Sequence, residues 1–188
     1  MRIRYNAPVI LTFAFVSIIV TALTKYYLPD LINNWFSVPG KGNFNPANLR
    51  HWLNLLTHVI GHYDWSLLMA NFAFILLIGP LLEKNYGSPV MLLILIITAL
   101  VAGILNILLF PIPLMGASCI VFMMILLASF TNFNRGEIPL TFILILILYL
   151  GEQIISSYNT GSISYLAPIA GGFCGSLFGF FFRTKRKK

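Results

Sequence analysis

Apolar residues along this chain fall into six long runs that polar or turn-forming residues separate. Most runs approach the roughly 20 residues that a helix needs to cross the hydrocarbon core of a bilayer. None shows the alternation of apolar and polar residues that is typical of membrane β-strands. The pattern therefore predicts an all-α integral membrane protein with six transmembrane helices. The predicted spans are residues 8–28, 64–83, 88–110, 116–130, 139–157 and 162–182.

The fourth run, Gly116–Phe130, is shorter than the others. As a helix it would rise only about 22 Å, against a hydrocarbon core of about 30 Å. We therefore expect the end that carries Ser118 to begin below the outer membrane surface. Non-helical backbone at that depth is tolerated only where protein buries it or where it lines a wet cavity. We expect Ser118 to line a polar pocket that opens to the outer side.

The last run carries glycines at four-residue intervals, at Gly171, Gly175 and Gly179. Small residues with this spacing let two membrane helices approach closely. Pro168 lies about one turn before Gly171 and projects from roughly the same face. We therefore predict that the last span packs on the fourth and brings position 168 close to Ser118.

Composition and charge agree with a membrane location. Hydrophobic residues make up 59% of the chain and charged residues only 9%. Basic residues concentrate on the N-terminal side of the predicted spans, so both termini should be cytoplasmic, and we expect a bacterial plasma membrane. The basic tail, residues 183–188, directly follows a span and is expected to contact anionic lipid rather than nucleic acid.

The beginning of the chain also resembles a secretory signal, with Val20-Thr21-Ala22 as a passable cleavage site. Cleavage would leave five spans and an outer N-terminus, which fits the distribution of basic residues less well than an uncleaved first span. Cys119 and Cys174 lie inside apolar runs and indicate small buried side chains rather than a disulfide framework. The chain is predicted to be one domain, residues 1–188.

The first connection, Pro29 to about Tyr63, is the one long segment outside the predicted spans, and it is rich in aromatic residues. Such a segment is expected to lie in the headgroup region rather than to form a soluble domain. The other connections are short turns.

Residues 62–71 (HYDWSLLMAN), 79–88 (GPLLEKNYGS), 116–118 (GAS) and 167–172 (APIAGG) follow one another in this order along the chain. Together they resemble the rhomboid family of intramembrane serine proteases. The resemblance covers nearly the whole chain beyond the first span, and it implies a six-helix bundle with a short fourth helix. Its expected partners are transmembrane protein segments, and neither a cofactor nor a metal ion is implied.

In that family a serine attacks the peptide carbonyl, a histidine of the last span takes its proton, and a second-span histidine and asparagine help to hold the oxyanion. By this resemblance Ser118 matches the nucleophile and Asn71 the oxyanion asparagine. Pro168 occupies the position of the missing base, and Leu67 the position of the missing oxyanion histidine. Two further positions depart from the family pattern. These are Cys119, in place of a glycine, and Phe122, at a position that is often tyrosine.

A serine hydroxyl is a poor nucleophile until a base removes its proton, and proline has no lone pair to do so. The leading hypothesis is therefore an impaired or inactive protease homologue that binds membrane-protein clients. One alternative is an active intramembrane endopeptidase in which Glu152 serves Ser118 through water. Another is a small transporter or channel, although no inverted repeat is visible.

Structural roles compete with these functional ones. Ser118 could bond the carbonyl four residues back, and Asn71 could join two helices. His62 precedes the second span and is interpreted as a structural histidine. Glu152 lies near a helix end, where its carboxylate could reach water. Cys119 has no evident base or cation beside it that would form a thiolate.

Overall fold

The computed structural model describes residues 5–132, 140, 143–144, 147–148, 151, 155 and 166–181. Seven helices with defined bounds are present in these residues, and Val38 and Leu114 form an isolated antiparallel bridge. The helices are α1 (Pro8–Tyr26), α2 (Asp30–Trp35), α3 (Leu49–Thr57), α4 (Trp65–Tyr86), α5 (Ser88–Leu109), α6 (Ser118–Asn132) and α7 (Leu166–Phe181).

Three of the described helices, α1, α4 and α5, are long and apolar enough to cross a membrane. They coincide with the first three predicted spans to within a few residues, and α6 and α7 coincide with the fourth and sixth. The all-α membrane architecture is thereby confirmed. The predicted fifth span, 139–157, lies largely outside the described residues, and so do Glu152 and the basic tail.

The fourth predicted span forms the short helix α6, as predicted, with 15 residues against 22 in each of α4 and α5. It begins at Ser118 rather than at Gly116. Gly116 has a φ of 101°, a conformation that a residue with a Cβ adopts only with strain, so this glycine ends the preceding loop.

Helix α6 forms the centre of the bundle. Every residue from Cys119 to Ile125 is buried, and the helix packs against α4, α5 and α7. A helix that is apolar on all sides belongs in the interior. The outer helices instead present large apolar side chains outward, such as Leu77, which is 75% exposed. Such faces suit contact with lipid.

The contact between α6 and α7 depends on glycine, as predicted. A Cβ built on Gly175 would lie 2.6 Å from the carbonyl oxygen of Met123, and one built on Gly171 would lie 2.8 Å from the carbonyl carbon of Cys119. No side chain fits at such distances, so the two backbones pack directly against each other. Gly172 meets the ring of Phe122 in the same interface.

Glu83, at the C-terminal end of α4, joins three helices. Its carboxylate is buried and accepts hydrogen bonds from the backbone N–H groups of Val9 and Ile10, each at 3.0 Å. The hydroxyl of Ser88 donates to the same carboxylate at 2.7 Å. Val9 and Ile10 lie in the first turn of α1, whose N–H groups have no partner within the helix. Glu83 therefore caps α1 and fixes it to the junction of α4 and α5.

Replacing Glu83 by glutamine is expected to lower the thermal unfolding midpoint, because an amide offers one acceptor oxygen where the carboxylate offers two. One backbone N–H of α1 would then be buried without a partner, at a cost of about 1–3 kcal/mol. Thermal unfolding in detergent measures the effect. Lys84→Gln is the control, since Lys84 is exposed beside Glu83. An unchanged midpoint in Glu83→Gln would contradict the capping role.

The first connection contains α2 and α3 and packs on the bundle instead of standing free of it. Val38 and Leu114 exchange two backbone hydrogen bonds of 2.9 Å, and Leu55 of α3 lies against Gly103 of α5. The backbone N–H of Lys41 donates to the carbonyl of Phe110 at 2.6 Å. The connection thus holds the loop that leads into α6.

Candidate functional site

The turn before α6 is positioned by main-chain hydrogen bonds. The N–H of Gly116 donates to the carbonyl oxygen of His58 at 2.9 Å. The N–H of the next residue, Ala117, donates to Nε2 of His62 at 3.4 Å. Together with the bridge between Val38 and Leu114, these bonds fix the start of α6, where Ser118 is the first helical residue.

Ser118 lies against Asn71 of α4, and both residues are buried. The hydroxyl of Ser118 donates to Oδ1 of Asn71 at 3.4 Å. The amide nitrogen Nδ2 of Asn71 is buried and has no hydrogen-bond partner among the described residues. It lies 3.9 Å from a Cβ built on Gly116. Asn71 therefore has a donor close to the turn that no described atom uses, and such buried donors are rare in folded proteins.

Leu67, one turn before Asn71, belongs to the same cluster. Its Cδ2 lies 3.7 Å from a Cβ built on Gly116. The three positions to which the family resemblance assigns the nucleophile, the oxyanion asparagine and the missing oxyanion histidine therefore lie together around Gly116. The side chain at position 67 is apolar, so it adds no hydrogen-bond donor.

The glycines of α7 define the register between α6 and α7. Gly171 is level with Cys119, and Gly175 is level with Met123. The same register, extended one turn toward the start of α7, predicts that residues 167–168 lie beside the turn that carries Ser118. Pro168 itself lies in the first turn of α7. Glu152, the alternative base, is outside the described residues.

The histidines nearest the turn have structural partners. Nδ1 of His62 lies 3.1 Å from the carbonyl oxygen of Ile60, while Nε2 faces the N–H of Ala117. A neutral imidazole satisfies both contacts when Nδ1 carries the proton, and the lone pair of Nε2 then accepts from Ala117. His58 is also buried, with Nδ1 3.2 Å from the carbonyl oxygen of Asn54.

Burial keeps both of these histidines neutral. Desolvation lowers the pKa of His62 to about 4 and that of His58 to about 4. Both therefore lack a positive charge at neutral pH. The sequence predicts a structural role for His62, and its contacts agree with that role. The contact with Ala117 could not be predicted, because the bond joins residues 55 positions apart.

Among the described side chains at the turn, the hydroxyl of Ser118 and the amide of Asn71 supply polar groups. The unpaired amide of Asn71 offers a hydrogen bond to an oxyanion held near Gly116. The carboxamide oxygen that receives the hydroxyl of Ser118 accepts a hydrogen bond but is too weak a base to take the proton. Within the described residues, no group of three His, Cys, Asp or Glu side chains is placed to hold a metal ion.

A protein-family model described as "Rhomboid domain" matches residues 49–185 of the chain. The match begins at α3 and includes Leu67, Asn71, Ser118 and Pro168. No curated protein that was compared with the chain matches it.

Proposed function

Because this chain belongs to the rhomboid family, we propose that it is an intramembrane protease homologue that binds transmembrane segments of client proteins and cleaves them poorly or not at all. The observation that carries the proposal is the occupancy of the base position. The register of Gly171 with Cys119 supports a position for residue 168 beside the Ser118 turn, and a proline side chain cannot accept the serine proton.

The histidines of the sequence support this proposal. His51, His58 and His62 are the only ones in the chain. Both ring nitrogens of His62 and Nδ1 of His58 lie at hydrogen-bond distance from backbone groups. Nε2 of His58 is buried without a partner among the described residues. Nδ1 of His51 accepts from the N–H of Asn45 at 2.9 Å. For His62 to act as a base, its Nε2 would have to give up the N–H of Ala117, which helps to position the turn.

The loss of the base weighs more than the loss of the oxyanion histidine. Removing the serine or the histidine of a soluble serine protease costs about 10⁶ in kcat, whereas one oxyanion donor is worth about 10²–10³. Leucine at position 67 would account for the smaller loss in kcat, and proline at position 168 for the larger one. The unpaired amide of Asn71 favours some remaining affinity for a peptide carbonyl, which is what a client-binding protein needs.

We also propose that both termini face the cytoplasm and that the basic tail contacts anionic lipid, because most basic residues lie on that side of the predicted spans. Ser118 would then open toward the outer side. Single-cysteine accessibility labelling at the two ends of the chain tests this orientation.

The unmodified protein is expected to react slowly or not at all with a fluorophosphonate, because this reagent requires an activated serine. A helical transmembrane reporter should crosslink to it and remain uncut. The measurement is fluorescent labelling in detergent, with Ser118→Ala as the control. Rapid labelling and reporter cleavage, both lost in Ser118→Ala, would contradict the proposal. Glu152→Gln would then test the alternative base.

A further inference from the structure

A polar cavity of about 360 Å³, which Ser118 does not line, lies on the first connection. It is formed by α2, the segment that joins α2 to α3, α3 itself and the loop before α6, which contributes Pro113. Its volume falls within the range of small-molecule sites. The rhomboid site around Ser118 makes no use of it.

The lining of this cavity is rich in amides and basic groups. No acidic side chain is among the described residues that line it. Arg50 is exposed at the cavity and lies over the ring of Trp35, 5.0 Å from its centroid. This stacking holds the guanidinium without neutralising its charge. The polar lining includes Asn33, Asn34, Ser37, Arg50, His51 and Asn54.

His51 and Asn54 determine which hydrogen-bonding groups suit a ligand in this cavity. Nδ1 of His51 accepts the N–H of Asn45, so the proton of a neutral imidazole is on Nε2, which is a donor. Oδ1 of Asn54 is buried without a hydrogen-bond partner in the described part of the chain, while its Nδ2 donates to the carbonyl of Ser37 at 2.8 Å. Arg50 and His51 thus suit an anion, and Asn54 Oδ1 suits a hydroxyl donor.

The outer face of α3 indicates where such a ligand comes from. This face is apolar, since Leu49 is 72% exposed and Trp52 is 49% exposed, whereas Asn54 on the inner face is buried. Exposed leucine and tryptophan side chains beside a polar lining are typical of a segment at the membrane interface. The cavity is therefore positioned to meet lipid headgroups.

We propose that this cavity binds a phosphate diester that carries a free hydroxyl, as in the headgroup of phosphatidylglycerol. Arg50 pairs with the phosphate, His51 donates a second hydrogen bond, and the headgroup hydroxyl donates to Oδ1 of Asn54. The proposal does not depend on catalysis at Ser118. A lipid bound in this way would join the first connection to the loop before α6.

Binding of dihexanoyl phosphatidylglycerol to the purified full-length protein in uncharged detergent tests the proposal. We expect saturable binding by calorimetry and a higher thermal unfolding midpoint, with weaker binding of dihexanoyl phosphatidylcholine. Arg50→Gln should weaken binding of the phosphatidylglycerol by about tenfold or more, the usual effect of losing a hydrogen bond to a charged group. Asn33→Asp, which adds a negative charge at an exposed lining position, should do the same.

Lys41→Gln is the matched control, because Lys41 is an exposed cation on the same connection that does not line the cavity. It should bind as the unmodified protein does. An equal loss in Lys41→Gln and Arg50→Gln would mean diffuse attraction to anions and would overturn the proposal. Equal affinity for the phosphatidylcholine would do so too. Equally tight binding of soluble glycerol 3-phosphate would overturn the lipid assignment and indicate a free phosphate ester as ligand.

Discussion

Replacing Pro168 by histidine is expected to raise the rate at which a fluorophosphonate labels Ser118 by at least about tenfold. The reason is that an imidazole at this position supplies the missing proton acceptor, whose loss costs a soluble serine protease about 10⁶ in kcat. Full recovery is not expected, because Leu67 still withholds an oxyanion donor. The rate of fluorescent labelling in detergent measures the change.

Pro168→Gln is the matched control for that variant. It removes the proline ring equally but supplies no base, so it should label as slowly as the unmodified protein. Labelling of Pro168→His must also disappear when Ser118 is replaced by alanine. If the histidine and glutamine variants labelled at the same rate, position 168 would not serve Ser118, and the helix register inferred from Gly171 and Gly175 would need revision.

Adding Leu67→His and Cys119→Gly to Pro168→His should raise the rate further. A donor at position 67 would lie in the cluster around Gly116, where an oxyanion donor is worth about 10²–10³. Glycine at position 119 would restore the small residue that follows the serine in the family. Cleavage of a helical reporter, dependent on Ser118, would show that the scaffold can still perform the reaction.

Replacing Gly175 by leucine is expected to destroy the folded bundle or to lower its unfolding midpoint by about 2–12 °C. The Cβ alone would lie 2.6 Å from the carbonyl oxygen of Met123 and 3.1 Å from its Cα, so the helices α6 and α7 would have to separate. Overpacking costs about 1–3 kcal/mol even where side chains can adjust. Each kcal/mol shifts the midpoint by about 2–4 °C in a chain of this size.

Phe173→Leu is the control on the same helix. Phe173 is 61% exposed, so its replacement should leave the midpoint nearly unchanged. Size-exclusion profiles and thermal unfolding in detergent separate the two variants. Normal stability of Gly175→Leu would show that α6 and α7 are not held together by the contact described above.

Local patterns in the sequence were sufficient to predict the helices and the glycine contact. The runs of apolar residues predicted α1, α4 and α5 to within a few residues of their ends. The spacing of Gly171 and Gly175 predicted the contact of α7 with α6. The meeting of Ser118 with Asn71 and Leu67 was predicted by the resemblance to a family. Apolar periodicity alone could not have paired residues so far apart in the chain.

Interactions between distant main-chain groups could not be predicted. The bridge between Val38 and Leu114 depends on backbone N–H and carbonyl groups, which every such residue carries. The role of Glu83 in joining α1, α4 and α5 was also not predicted. It lies at the end of a predicted span, where a carboxylate is expected to reach water, and only the tertiary structure shows that α1 covers it. Cys119 is buried, in agreement with its interpretation as a small apolar residue.

The hydrogen bonds that hold the Ser118 turn bear on how such a protein can arise. Of the bonds that fix the turn, the one from Gly116 ends on a main-chain carbonyl, and the pair between Val38 and Leu114 is entirely main-chain. None of them involves the side chain at position 67 or 168. A lineage could therefore exchange both side chains while the turn kept its shape. Substitution at either position can therefore change the chemistry beside the turn without removing the bonds that hold it.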